Sequence, residues 1–442
     1  MKASAFSTTS TSRSASLRRG LRKWDLVALV INSVVGAGIF GLPAQVYALA
    51  GTYSLAAYIV SGVAIALIVL CFAEVGSRFG ATGGPYLYAR VAFGPLIGFQ
   101  VGWLLWLARI NGFASLINLL VAYLALFVPA VSVDAGRAVA IVSVVVLLAA
   151  VNIIGLRATA TTTNVLTAGK LIPLALLAIA GMFFLDTDRY SATIVPSYRS
   201  FSQATLLLVF AYMGFEGAAI PTGEMRSPQR DLPFSLLTGM SLVAVLYIAV
   251  QAVSIGTVPD LAHAERPLAD AAFRIVGRAG AALAAAAALV SIGGILNAIL
   301  FATPRVVFAM AENHDLPAIF ARTHARFRTP VAAIVVTATV ACVVALFSTF
   351  LSALTISTIV RLLAYLVSCA AVPALRRRSD VPPPAFRMRS ASVVWVAAIA
   401  LSVWLLSNSP WNEVRLAATF ILVGVAMYWV LSSRPSFEGE TT

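Results

Sequence analysis

Ser33-Val34-Val35-Gly36-Ala37-Gly38-Ile39-Phe40-Gly41-Leu42-Pro43 lies in the middle of an apolar run over residues 26–50. The run is long enough for a membrane helix, which needs about 20 mainly apolar residues. Its centre is poor helix material. Gly costs about 1 kcal/mol against Ala in a helix interior, and Pro about 3 kcal/mol. Two readings follow. Small residues let helices pack closely, or the helix unwinds in mid-membrane. Unwinding would turn free N–H groups, and the N-terminus of the outer half-helix, towards a cavity. Both favour an anion such as a carboxylate.

Similar runs recur along all 442 residues. They cover 55–72, 96–128, 138–154, 171–185, 204–220, 234–258, 279–310, 331–350, 351–375, 393–406 and 416–431, which with the first predicts about twelve membrane helices. Apolar residues make up 60% of the chain and charged residues 11%, with a mean hydropathy of +0.93. Soluble domains hold roughly 45–50% and about 25%. A soluble enzyme, a disordered chain and a disulfide scaffold are thereby set aside. The alternating ten-residue strands of an outer-membrane barrel are absent.

The net charge of +14 is explained by where the charges fall. With both termini placed inside, 20 of the 31 Lys and Arg residues lie on inside segments and 7 on outside loops. Four fall within helices: Arg109, Lys170, Arg305 and Arg361. The asymmetry follows the positive-inside rule and needs no nucleic-acid partner. The Ser/Thr-rich start reads as a disordered tail rather than a cleaved signal, because the first apolar run exceeds an h-region. Cys71, Cys342 and Cys369 show neither disulfide nor metal-ligand spacing. His263, His314 and His324 read as loop residues. No catalytic triad or phosphate loop is present, so neither enzyme chemistry nor a cofactor is expected.

Five helices on, the sixth run breaks in the same manner, in Phe210-Ala211-Tyr212-Met213-Gly214-Phe215-Glu216-Gly217, with Pro221 beyond. Free carbonyls there would attract an ammonium group. Paired interruptions in corresponding halves point to an inverted-repeat transporter with a midplane site. Carboxylate-binding N–H groups beside ammonium-binding carbonyls suit a zwitterion, and an amino acid is the simplest one.

Several further stretches, in order, complete a family pattern: 35–43 (VGAGIFGLP), 73–79 (AEVGSRF), 83–90 (GGPYLYAR), 93–95 (FGP), 210–216 (FAYMGFE), 227–233 (SPQRDLP) and 308–317 (FAMAENHDLP). Over about residues 24–375 the chain resembles amino acid permeases of the amino acid–polyamine–organocation (APC) superfamily. The resemblance implies an all-α polytopic fold, a five-plus-five inverted repeat with broken helices 1 and 6, and peripheral helices 11 and 12. The expected organisation is a disordered basic cytoplasmic tail over 1–24, a transporter core over 25–375, and a basic cytoplasmic loop over 376–389. Peripheral helices over 390–433 and a cytoplasmic tail over 434–442 complete it.

Ionisable groups within the membrane are expensive and usually functional. Lys170 lies in the fifth helix, in NVLTAGKLIP (164–173). One reading is a lysine snorkelling from near the helix end. The resemblance implies another, an ammonium occupying the place of sodium in related transporters. A lysine linking helices 1, 5 and 8 can give up and regain a proton during a cycle. Glu216, in the sixth helix, is expected near the substrate and its gate, either titrating or paired. Glu74 is read as a structural ion-pair or helix-end residue next to Arg78. Arg109 departs from the family pattern, which implies small or apolar groups around Ala108 and Phe113. It is read as pairing with Glu216 or exposed carbonyls, or as binding a substrate side-chain carboxylate. Ile295 stands where relatives taking long cationic substrates carry an aromatic residue, which weakens an arginine–agmatine exchange reading. Phe210 fits either an aromatic gate or core packing. Arg305 and Arg361 read as structural.

The expected substrate site comprises Ser33, Val34, Gly36, Ala37, Gly38, Ala108, Arg109, Phe113, Phe210, Ala211, Met213 and Ile295, with Lys170, Glu216 and Phe210 in coupling or gating. The expected function is amino acid transport across the inner membrane by alternating access, proton symport first. Exchange, export, polyamine or organic-cation transport, and a nontransporting sensor are the alternatives. The partners are a small-molecule amino acid, protons and the lipid bilayer, with no metal. The sequence carries no signal for oligomeric state. Its Arg- and Ala-rich usage suggests a bacterial source.

Overall fold

A computed structural model describes residues 20–125, 127–191, 195–264, 266–348, 350–407 and 411–432. The tail expected over 434–442, and residues 1–19 of the tail expected over 1–24, lie outside the described residues.

The first apolar run forms two helices, α1 (Lys23–Val34) and α2 (Ala37–Ala50), and α3 (Ser54–Gly76) follows. A short α4 (Pro85–Phe93) leads into α5 (Pro95–Leu124). Their elbow is one residue, Gly94, which ends α4 and caps α5 at φ +95°, a conformation natural to glycine. Pro95 then supplies the preset φ of a first helical position. Next come α6 (Asp134–Ile154), α7 (Leu156–Gly181), α8 (Tyr198–Ala211) and α9 (Pro228–Thr257). The second half holds a short α10 (Pro267–Val276), then α11 (Arg278–Glu312), α12 (Val331–Phe347), α13 (Phe350–Arg376), α14 (Ala391–Ser407) and α15 (Trp411–Ser432).

Each apolar run read from the sequence coincides with a helix, except that 26–50 is divided between α1 and α2 and 204–220 continues past α8 as a 3-10 turn. The described residues form no extended sheet, so the fold is all-α. Among the described residues, eight segments are long and apolar enough to cross a membrane, and α12 and α14 are shorter apolar helices. The protein is a multi-pass membrane protein. Its outer faces carry exposed apolar side chains such as Val146, Leu147, Val165 and Leu422, as lipid contact requires. The helices themselves satisfy the backbone there. The inner core is formed by α1, α3, α5, α8, α9, α11 and α13, while α14 packs on α13 and α3, and α15 on α5 and α13.

Two elements are additions to the sequence reading. The first is α4. The second is α10, whose Leu268, Ala271 and Ala272 are buried at helical spacing behind Pro267. That i, i+3, i+4 pattern was readable, but a ten-residue amphipathic helix does not register as an apolar run.

Ion pairs tie distant segments together. Glu74 does not pair with its neighbour Arg78. It receives both Nε and Nη2 of Arg376, at 2.6 and 2.7 Å, and the Met388 amide at 2.9 Å. The reason is local: α3 ends at Gly76, so Arg78 has left the helix and donates to the Pro382 carbonyl instead. Asp315 accepts from Arg90 at 2.6 Å and from the Tyr86 hydroxyl at 2.7 Å. Burial and this carboxylate push the Tyr86 hydroxyl well above its ordinary range, so it stays a donor. Arg305 pairs with Glu224 and stacks 3.8 Å from the centre of the Phe301 ring.

Candidate functional site

The first break is two residues long. α1 ends at Val34, Val35 is extended, and α2 begins at Ala37 after Gly36. Pro43 stays inside α2 and does not interrupt it. A Cβ built on Gly36 would fall 1.9 Å from Ile295 Cδ1, and one on Gly38 would fall 2.9 Å from Ala211 Cβ. Both sequence readings therefore hold at once. The chain unwinds, and its small residues let α8 and α11 approach.

The second break follows α8. Tyr212 and Met213 turn off the helix, Gly214 takes φ +120°, and Phe215–Ala219 continues as a 3-10 turn rather than an α-helix. Gly214 is pressed on the first break: a Cβ there would lie 2.2 Å from the Ser33 carbonyl oxygen. Tyr247 of α9 holds the two breaks together, its hydroxyl standing 3.1 Å from the Val34 carbonyl oxygen and 3.2 Å from that of Ala211.

A small cavity of about 50 Å³ opens beside them. Of the residues expected at the site, Ser33, Val34, Gly38, Arg109, Phe210, Ala211, Met213 and Ile295 line it. Gly36 sits behind Ile295. Ala37 opens α2, and its side chain lies outside the described residues. Ala108 and Phe113 occupy other faces of α5. Ala108 packs against Ile359 and Val360, and Phe113 joins a cluster with Ile110 and Leu296. The cavity face of α5 is instead Arg109, Gly112, Ser115 and Leu116, a helical stripe. Ser357 and Arg361, one turn apart on α13, complete the polar wall with Gly214 and Ile299 nearby. Polar residues four apart in an apolar helix were the available signal for that pair. The Ser33 hydroxyl is buried without a hydrogen-bond partner among the described residues.

Glu216 is completely buried behind this wall. One oxygen meets Arg109 Nη1 at 3.1 Å and Arg361 Nε at 3.4 Å. The other accepts from the Tyr365 hydroxyl at 2.5 Å and the Gly214 amide at 3.0 Å. Arg109 Nε also donates to Thr303 on α11 at 3.0 Å. One carboxylate thus ties α5, α13 and the second break together, and Arg109 carries the tie to α11. A buried charge survives only with such partners.

Lys170 is fully buried on α7, outside the cavity lining. Its ammonium donates to the carbonyls of Asn32, Val35 and Ser291 at 3.0, 2.7 and 3.2 Å. Three N–H donors meet three acceptors, as an ammonium group requires. The contacts join α1, the first break, α7 and α11. Asn32 adds a second link, donating to the Gly294 carbonyl at 2.7 Å.

Known proteins resemble the chain over most of its length. The chain is similar to the methylthioribose transporter of Bacillus subtilis (strain 168), at 28% identity over 96% of each chain. It is 30% identical to the serine/threonine exchanger SteT of the same organism, over 90% of this chain and 93% of the relative. It is 22% identical to that organism's branched-chain amino acid permease BcaP, over 96% of each. These relatives are transporters. Residues 21–432 match the family described as amino acid permease, and the chain belongs to that family, within the APC superfamily.

Proposed function

We propose that this protein is a secondary active amino acid transporter of the cytoplasmic membrane, with both termini cytoplasmic, working by alternating access. The observation that carries this reading is the meeting of two broken helices beside one cavity. The substrate carboxylate binds at the first amides of α2, from Ala37 and Gly38, with the Ser33 hydroxyl beside them. Unpaired N–H groups and the helix dipole favour an anion there. The substrate ammonium binds carbonyls at the end of α1 and of α8. Val34 and Ala211 already face Tyr247, and Phe210 accepts from Met213. Each carbonyl still has a second lone pair. The core over 25–375 carries the motion, and the helices over 390–433 stand outside it.

Coupling is assigned to Lys170. Its three acceptors come from the end of α1, the first break and α11, so losing or regaining a proton there changes how the break is held. Proton symport is the first reading. Amino acid exchange is the second, favoured by the likeness to a serine/threonine exchanger.

The test is counterflow in proteoliposomes. Each unlabelled amino acid is preloaded in turn and its labelled form added outside, with and without an inward proton gradient. Saturable accumulation for a subset of amino acids is expected. Gradient-driven uptake without preload supports symport, and strict dependence on preload supports exchange. A folded protein that moves no amino acid defeats the proposal.

A further inference from the structure

Four carboxylates are buried among the described residues: Glu74, Glu216, Glu224 and Asp315. Three are matched one to one, Glu74 with Arg376, Glu224 with Arg305 and Asp315 with Arg90. Glu216 alone faces two arginines, Arg109 and Arg361. The wall of the cavity therefore holds one positive charge more than its carboxylate answers.

The two arginines are not equivalent. Arg109 is the better held: Nη1 donates to Glu216 and Nε to Thr303. Arg361 is held by less. Its one hydrogen bond among the described residues runs from Nη2 to the Ser357 hydroxyl at 3.2 Å. Its Nε is buried without a hydrogen bond, 3.4 Å from Glu216. Its side chain is only 8% exposed, yet it lines the cavity. A guanidinium has five donors in a planar fork suited to a carboxylate, and a buried one lacking acceptors is costly.

We infer that the site takes an amino acid with an acidic side chain, whose second carboxylate is received by Arg361. This inference rests on the transport reading above and names its substrate class. The α-carboxylate and ammonium occupy the helix breaks and add no net charge. The side-chain carboxylate supplies the missing negative charge, and the site becomes neutral when loaded. The small cavity favours a short side chain such as that of aspartate or glutamate. The relatives named above, by contrast, take their names from uncharged substrates.

The experiment uses the full chain in proteoliposomes and compares counterflow of labelled L-aspartate and L-glutamate with that of L-serine, L-leucine and L-lysine. Wild type is expected to move an acidic amino acid at least about tenfold faster than the others. Arg361→Gln should cut acidic flux about tenfold or more and favour asparagine or glutamine. Arg361→Lys should restore part of the acidic flux. Thermal shift of the detergent-purified protein guards against misfolding: the preferred acidic amino acid should raise the Tm of wild type and not of Arg361→Gln. Neutral flux with acidic amino acids inert overturns the inference and leaves the transport reading standing. So does an unchanged acidic preference in Arg361→Gln. Absence of flux for every amino acid from folded protein overturns both.

Discussion

Lys170 has no carboxylate partner among the described residues; three backbone carbonyls hold it. Lys170→Ala removes the donor and leaves those carbonyls facing an apolar void. The expected result is a loss of about tenfold in proton-driven uptake, with the pH dependence of the remainder flattened. Full transport with an unchanged pH profile would contradict the coupling role. Glu216 is a sharper case. Glu216→Gln removes the charge that answers two buried guanidiniums, and breaking a buried pair costs about 3–5 kcal/mol. Tyr365→Phe removes one hydrogen bond to the same carboxylate and should cost less, about 1.5–3 kcal/mol. Thermal unfolding of the two variants side by side checks that order. The identity of Arg109 and Lys170 as membrane charges was legible in the sequence, because ionisable residues stand out in apolar runs. The partner set was not. Arg361 reads as structural in isolation, and only the packing of α13 on α5 brings it opposite Arg109.

At the scale of elements, both helix breaks were legible from glycine content, but their form was not. In the first run Pro43 is tolerated inside α2, and the unwinding falls at Val35 and Gly36. In the sixth, the chain resumes as 3-10 turns, since Gly214 at φ +120° redirects it before Pro221. Gly214 is also hard to replace. Alanine there is strained in its backbone and drives a methyl group to 2.2 Å from a carbonyl oxygen, which is main chain and cannot swing aside. Gly214→Ala should destabilise by on the order of 3 kcal/mol and abolish transport. Gly41→Ala, where a Cβ meets nothing within 4 Å, should leave both nearly unchanged. Equal behaviour of the two variants in unfolding and uptake assays would contradict the close packing of the breaks. On α5 the expected Arg109 lines the cavity, whereas Ala108 and Phe113 each stand one position from a lining residue, Arg109 and Gly112. Periodicity establishes that a helix has a face and leaves open which neighbour occupies it.

For the whole molecule, the proposed orientation, with both termini cytoplasmic, puts the loop carrying Asp186 outside and the loop carrying Asp380 inside. Both residues are exposed. Asp186→Cys should react with a membrane-impermeant maleimide on intact cells, and Asp380→Cys only after permeabilisation. The reverse pattern would invert the topology. The central claim is that the cavity between the two breaks is the transport site, and Ser33 tests it most directly. Ser33 lines the cavity and its hydroxyl has no hydrogen-bond partner among the described residues, so Ser33→Cys places a thiol where the substrate carboxylate is expected. The measurement is the maleimide labelling rate of Ser33→Cys in proteoliposomes, against the parent chain, with and without the amino acid that supports counterflow. The account predicts labelling that this amino acid slows at least about fivefold at saturation. A rate unchanged by an amino acid the protein demonstrably exchanges would place the transport site elsewhere.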